Sequence, residues 1–247
     1  MSKVLITGGT GKIGSSLVKS MIADGHIVVF TTTDKNKGDL LIQQIPFQNE
    51  NASYIEVKFE NDLSLNKIVE NMPFKIDCII HNARNISTSL IGNNGKITSD
   101  QFSEELFLAV TFPYLLSNAL IDYGHKIKDI LFISSMYGVV APTPSLYKDF
   151  KMQSPVNYGV AKAAQIHLAK EMAVRLSNQE VRVNCISYGG VEGRVDADFL
   201  KRYKSLTPMN RMLNESDLYP PVQFFLNNRS LAVTGENIKI DGGWTIS

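Results

Sequence analysis

Seven short runs of apolar and β-branched residues recur along the chain. They cover Val4–Thr7, Ile27–Thr31, Tyr54–Phe59, Asp77–His81, Asp129–Ser134, Arg182–Ser187 and Asn237–Asp241. Between them the apolar period lengthens to that of a helix. Ile13, Leu17, Val18 and Met21 share one face after the first run, and Leu65, Ile68, Val69 and Met72 share one after the third. Two longer helices are predicted over 102–121 and 158–176, and a further one begins near Asp217 with Pro220 and Pro221 in its first turn. Near-continuous apolar strands alternating with helices predict an α/β protein: a parallel seven-stranded sheet with helices on both faces. The stretches 139–157 and 189–215 read as loops.

Composition changes this picture little. The chain has 247 residues, 44% hydrophobic and 20% charged, within the range of one large globular domain. A formal net charge of +1 gives no reason to expect nucleic acid or an anionic membrane as partner. No uninterrupted apolar run approaches the ~20 residues of a membrane span. Cys78 and Cys185 each sit in an apolar strand and read as buried thiols. The four histidines are scattered without metal-ligand spacing, so no metal is expected. A cytoplasmic location is the expectation.

The candidate chemistry begins at "VLITGGTGKIGSSLV". Gly9, Gly11 and Gly14 form G-x-G-x-x-G directly after a strand and at the opening of a helix. That context is the dinucleotide fingerprint: glycines let the backbone approach a pyrophosphate, and the helix N-terminus offers free N–H groups. A tight turn without a ligand is the alternative. The second strand runs out in "TTTDKNK". Thr32 or Thr33 stands where an acid would select NAD, and Asp34 comes late, followed by Lys35 and Lys37. Hydroxyls and lysines suit a 2′-phosphate, so the expected cofactor is NADP, with NAD possible through Asp34. A second constellation is "NYGVAK", where Tyr158 and Lys162 fall one helical turn apart.

With both in place the chain resembles a short-chain dehydrogenase/reductase. "TGGTGKIG", "HNA" at 81–83, "ISS" at 133–135, "YGVAK" at 158–162, "RVNCIS" at 182–187 and "GENIKIDGGW" at 235–244 follow in that family's order. The resemblance implies one doubly wound Rossmann-type domain over 1–247, with a cofactor half to about 130 and a catalytic half beyond. It implies a homodimer or homotetramer and a small-molecule substrate. It makes Ser135, Tyr158 and Lys162 the catalytic set. Tyr158 exchanges a proton with the substrate oxygen, Ser135 orients that oxygen, and Lys162 favours the phenolate and reaches the cofactor ribose. The cofactor turn would use Gly8, Gly9, Thr10, Gly11, Lys12, Ile13 and Gly14. Thr32 and Thr33 would meet the adenosine ribose; Asn82, Ala83, Gly189 and Val191 would line the rest, beside Tyr158 and Lys162. Substrate contacts would come from Ser135, Tyr158 and Arg84.

Several positions depart from the family pattern. Lys12 stands where a glycine is common, and Arg84 replaces the glycine of "NNAG". The helix asparagine falls at Ala109, counted along the 102–121 helix, and the proline after the sixth strand is Tyr188. Arg84 is a candidate fork for a carboxylate or phosphate, with a surface arginine as alternative. From Ser135 to Tyr158 there are 23 positions, about ten more than many members show. The extra "APTPSLYKDFKMQSP" resembles a subgroup tied to bacterial surface-sugar and flagellin-glycan biosynthesis. The expected function is therefore carbonyl–alcohol interconversion on a sugar-derived metabolite. A non-catalytic dinucleotide-binding homologue and a sugar-nucleotide epimerase or dehydratase are the alternatives.

Overall fold

The strands pair into one parallel sheet ordered β3-β2-β1-β4-β5-β6-β7. They span Lys3–Ile6 (β1), Ile27–Thr32 (β2), Ala52–Glu56 (β3), Cys78–His81 (β4), Asp129–Ser135 (β5), Arg182–Tyr188 (β6) and Asn237–Ile240 (β7). The structure, a computed structural model, describes residues 1–45, 49–60, 62–193, 195–226 and 232–247. The helices are α1 (Lys12–Ala23), α2 (Lys35–Gln43), α3 (Asp62–Glu70), α4 (Ser99–Leu106), α5 (Phe112–Asp122), α6 (Phe150–Gln153), α7 (Val156–Arg175), α8 (Ala197–Leu206) and α9 (Tyr219–Leu226).

Strand alternation explains the two layers. Leu5, Val29, Ile79 and Ile130 point to the face covered by α3, α5 and α7. Val4, Ile6, Val28 and Ile80 point to the face covered by α1, α2 and α9. Both faces of the central strands are therefore buried, which is why these strands read as unbroken apolar runs. A smaller cluster, Met136, Leu146, Tyr203, Met212 and Trp244, joins the 139–155 segment to α8.

The strand order reverses between β1 and β4: the chain runs out to β3 at one edge and returns to β4 on the other side of β1. The crevice at the C-terminal ends of those strands is where a doubly wound sheet takes a ligand. Beyond it, α4 and α5 join through a π-helical turn, Phe107–Thr111, into one continuous helix. Ser99–Asp122 is long and apolar enough to cross a bilayer, yet Leu116 and Leu120 pack fully into the core and Glu105 is buried inside the protein.

Three expectations change. The supposed loop 139–157 contains the short α6 and the first residues of α7. The third strand ends at Glu56: Val57 keeps one bond to Thr32, and Phe59 turns away to stack on Phe112 at 4.1 Å. The supposed loop 189–215 contains α8, capped by Asp196 and buried through Tyr203.

Candidate functional site

The glycine turn is shaped by close approach. Gly8 has φ +69°, and a Cβ there would lie 2.7 Å from Ala83 Cα. A Cβ on Gly14 would lie 2.2 Å from the Gly8 carbonyl oxygen, so α1 can start against the turn only with glycine at that place. Thr7 ties the turn to β4: its Oγ1 accepts from the backbone N–H of Asn82 (3.0 Å) and Ala83 (3.1 Å). Asn82 returns its side-chain amide to the carbonyls of Thr7 and Gly8, each at 3.1 Å. Asn82 and Ala83 thus lie beside Gly8, Gly9 and Thr10. The cradle, too close for any side chain at Gly14, fits the pyrophosphate of a dinucleotide.

At the end of β2 the threonines separate. Thr32 is buried, and its hydroxyl is shared with Thr10 Oγ1 (3.0 Å) and the backbone of Asp34. Its hydroxyl is therefore engaged within the protein rather than turned to solvent. Thr33 is exposed. Asp34 caps α2 by accepting from Lys37 N at 3.2 Å and pairs with Lys37 Nζ at 3.6 Å.

The first turns of α7 lie against the end of β5. Ser134 Oγ donates to the Lys162 carbonyl at 3.0 Å, and a Cβ on Gly138 would meet the Lys162 backbone at 2.7 Å. This sets the start of α7, which carries Tyr158 and Lys162, against the end of β5, which carries Ser135. Ser135 ends β5, and its Oγ accepts from Tyr137 N at 3.2 Å. Lys162 is buried; its ammonium donates to the Ile133 carbonyl (2.7 Å) and to Gln165 Oε1 (3.0 Å), and lies 6.0 Å from the Tyr158 ring centroid. Burial and then the nearby Arg84 cation push the Lys162 ammonium down to about 8.

Arg84 is not a free surface side chain. Its guanidinium carbon stands 3.9 Å from the Tyr158 ring centroid, within cation–π range. Its Nε reaches Glu105 Oε1 at 3.4 Å, and Nη2 donates to Ser89 Oγ. Glu105 is buried and also accepts from the Thr88 hydroxyl. Asn157, fully buried beside Tyr158, holds this segment through Nδ2 to the Thr88 carbonyl at 2.8 Å.

The loop after β6 closes the far side. Gly189 N bonds Ile240 O at 2.8 Å, Gly190 N bonds the Tyr203 hydroxyl at 2.9 Å, and Val191 bridges to Leu213. Lys12 extends from the start of α1 to this loop: its Nζ lies 2.6 Å from where a Gly193 Cβ would stand. Lys12 therefore links the glycine turn to the loop after β6.

A family model described as enoyl-(acyl carrier protein) reductase matches residues 10–245. The chain belongs to the short-chain dehydrogenase/reductase family. A short-chain dehydrogenase from Leptospira borgpetersenii serovar Hardjo-bovis, solved with bound NAD+, is 31% identical, with a TM-score of 0.84 over 99% of this chain and 93% of that one. Among curated relatives, the post-translational flagellin modification protein A of Campylobacter coli is 28% identical over 98% of this chain and 97% of its own length. A 3-oxoacyl-(acyl-carrier-protein) reductase of Chlamydia pneumoniae is 22% identical over 98% and 96%.

Within this dehydrogenase fold the departures take on physical roles. Tyr188 points into the core, where its hydroxyl donates to the Leu218 carbonyl, and burial raises its pKa. Ala109 is buried in the π turn. His81 is buried and held neutral, its pKa pushed down to about 3, with Nε2 2.8 Å from Ser117 Oγ; it is structural. Glu105, Thr88 and Gln165 are absent from the sequence reading. Thr88 and Glu105 stand in no local motif and meet, 17 positions apart, only through the fold, whereas Gln165 meets Lys162 three positions along α7 and Thr7 opens the glycine motif itself.

Proposed function

We propose that the protein is an NADP-dependent reductase that interconverts a carbonyl and a secondary alcohol on a sugar-derived metabolite. The carrying observation is the end of β5 with Ser135 set against the start of α7 with Tyr158 and Lys162, beside a turn too tight for side chains at Gly8, Gly9 and Gly14. NADPH supplies the hydride when bound. Tyr158 gives the proton to the substrate oxygen, and Ser135 holds that oxygen with its hydroxyl. Lys162, a buried cation near the Tyr158 ring, carries the cofactor ribose and favours the phenolate left behind.

The NADP preference rests on the second strand. Asp34 is engaged as the cap of α2, while Thr33 is exposed and Lys35 and Lys37 follow it. The NAD+ bound by the Leptospira relative is the competing precedent. The sugar assignment draws on the flagellin modification relative and on the long 139–155 segment. Arg84, held at the Tyr158 ring by Glu105, reads an acidic substituent of the substrate. Residues before about 130 form the cofactor half and those beyond it the catalytic half, with Arg84, Lys162, Gly189 and Val191 reaching across that division. A homodimer or homotetramer in the cytoplasm would cover the exposed Tyr114, Val156, Val160 and Val174 of α5 and α7.

Cofactor oxidation measured against sugar phosphates, nucleotide sugars and ulosonic acids tests the proposal. Turnover with NADPH on one of these classes supports it; cofactor binding without turnover on any carbonyl or alcohol favours a non-catalytic dinucleotide-binding role. That second reading has one observation behind it: the Lys162 ammonium already spends two donors on Ile133 and Gln165.

A further inference from the structure

We propose that the phenol pair Tyr137–Tyr147 is the specificity element of the substrate pocket. It selects carbonyl substrates that carry a second, hydroxyl oxygen over monofunctional ketones. The inference rests on the reductase reading and adds to it the part of the substrate that is read.

Tyr137 leaves the same turn that presents Ser135, and its backbone N–H donates to Ser135 Oγ at 3.2 Å. That turn is clamped, because Gly138 sits directly on the Lys162 backbone. Tyr147 arrives from the 139–155 segment and donates its hydroxyl proton to the Tyr137 oxygen at 2.6 Å. Its ring is set by Phe150 and by Phe199 of α8, with centroids at 5.7 and 5.9 Å. The segment is anchored in turn: Leu146 is fully buried, Arg202 Nε donates to the Leu146 carbonyl at 2.7 Å, and Lys148 pairs with Asp198 at 3.0 Å. Both phenols are half-buried, and the Tyr137 carbonyl oxygen lies 3.1 Å from where a Cβ on Gly159, the neighbour of Tyr158, would stand. Burial raises the pKa of both, so they stay protonated donors at working pH.

The donor chain ends in an open position. Tyr147 gives its proton to Tyr137, and among the described residues no acceptor receives the proton of Tyr137. In the free protein water can take that proton; with the reacting oxygen held by Ser135 and Tyr158, a second oxygen on the same molecule takes it instead. A substrate hydroxyl fits, since it accepts from a phenol; a ketone without one leaves the half-buried donor unpaired. Sites built around such a donor discriminate strongly against the analogue that lacks the oxygen.

The test compares cyclohexanone, 4-hydroxycyclohexanone and a pentahydroxycyclohexanone as substrates of the full chain with saturating NADPH. NADPH affinity serves as the control for folding. The expected kcat/KM favours a hydroxylated member by at least about 10²-fold. In Tyr137→Phe that preference falls below about tenfold, mainly through KM, while cyclohexanone changes far less. Tyr147→Phe, which keeps Tyr137 but removes its partner, lowers the preference part of the way. Saturation-transfer NMR on the NADPH complex reads the same ratio for a ketone that binds without turnover. Equal use of cyclohexanone by the unmodified protein, or a preference that survives Tyr137→Phe, overturns the inference alone. NADPH binding with no ketone bound or reduced brings down the reductase reading first, and this inference with it.

Discussion

The guanidinium carbon of Arg84 lies 3.9 Å from the centroid of the Tyr158 ring, and its Nε is turned toward the buried carboxylate of Glu105. Family members with glycine at this position have no such cation. Here the site gains a positive charge beside the proposed proton donor, with part of its hydrogen-bonding capacity committed to Glu105 and Ser89. Arg84→Ala should raise KM for an acidic substrate by roughly 10–100-fold, the worth of a hydrogen bond to a charged group. A neutral analogue should change far less. Steady-state kinetics on a matched acidic and neutral pair decide it; equal effects on both remove the anion-reading role.

Cofactor choice should turn on Thr33. Thr33→Asp places a carboxylate at the exposed end of β2 and should shift preference from NADP toward NAD by about tenfold or more. Thr32→Asp should instead lower the melting temperature, because it buries a carboxylate among Thr10 and the Asp34 backbone. Fluorescence titration of both cofactors checks the first. Tighter NAD binding by the unmodified protein would end the NADP proposal.

This division between Thr32 and Thr33 marks the limit of what sequence showed. The seven strands were legible because a parallel sheet buried on both faces leaves unbroken apolar runs such as Leu131–Ile133. The glycine turn and the Tyr158–Lys162 pair were legible because their spacing is local. Which threonine is exposed depends on where β2 ends, and it ends one residue later than the apolar pattern suggests. Helix α8 was missed because Phe199, Leu200, Tyr203 and Leu206 are interleaved with charges. The Arg84–Glu105 contact spans 21 positions, and no periodicity announces it.

The turn should tolerate no side chain at Gly8. Gly8→Ala combines a left-handed φ with a 2.7 Å approach to Ala83, and should cost about 1–3 kcal/mol of stability together with cofactor binding. Gly25→Ala is the control. Its φ is +81°, yet a Cβ there meets nothing within 4 Å, so it should cost stability and leave cofactor affinity intact. Thermal melts and NADPH titration of the two variants separate strain from site damage.

Lys162 should impose a pH dependence of definite sign. Burial lowers its pKa in the native state from the usual 10.5 to about 8. The unfolded chain therefore holds more protons between those values, and native stability rises with pH across that window. The cost of the buried ammonium is fully present below about pH 8. Melting temperatures of the unmodified protein relative to Lys162→Met should accordingly climb from pH 7.5 toward 9.5. NADPH affinity should fall as the ammonium deprotonates, and that fall should vanish in the variant.

The central claim is that Tyr158 is the proton donor of a working reductase, and one comparison reaches it most directly. Tyr158→Phe keeps the ring against Arg84 and leaves the glycine turn and Lys162 in place. On a substrate the unmodified protein reduces, turnover should drop by about 10²–10⁴, the range of general acid–base catalysis, while NADPH affinity changes little. Turnover of Tyr158→Phe at the parent rate would contradict the account.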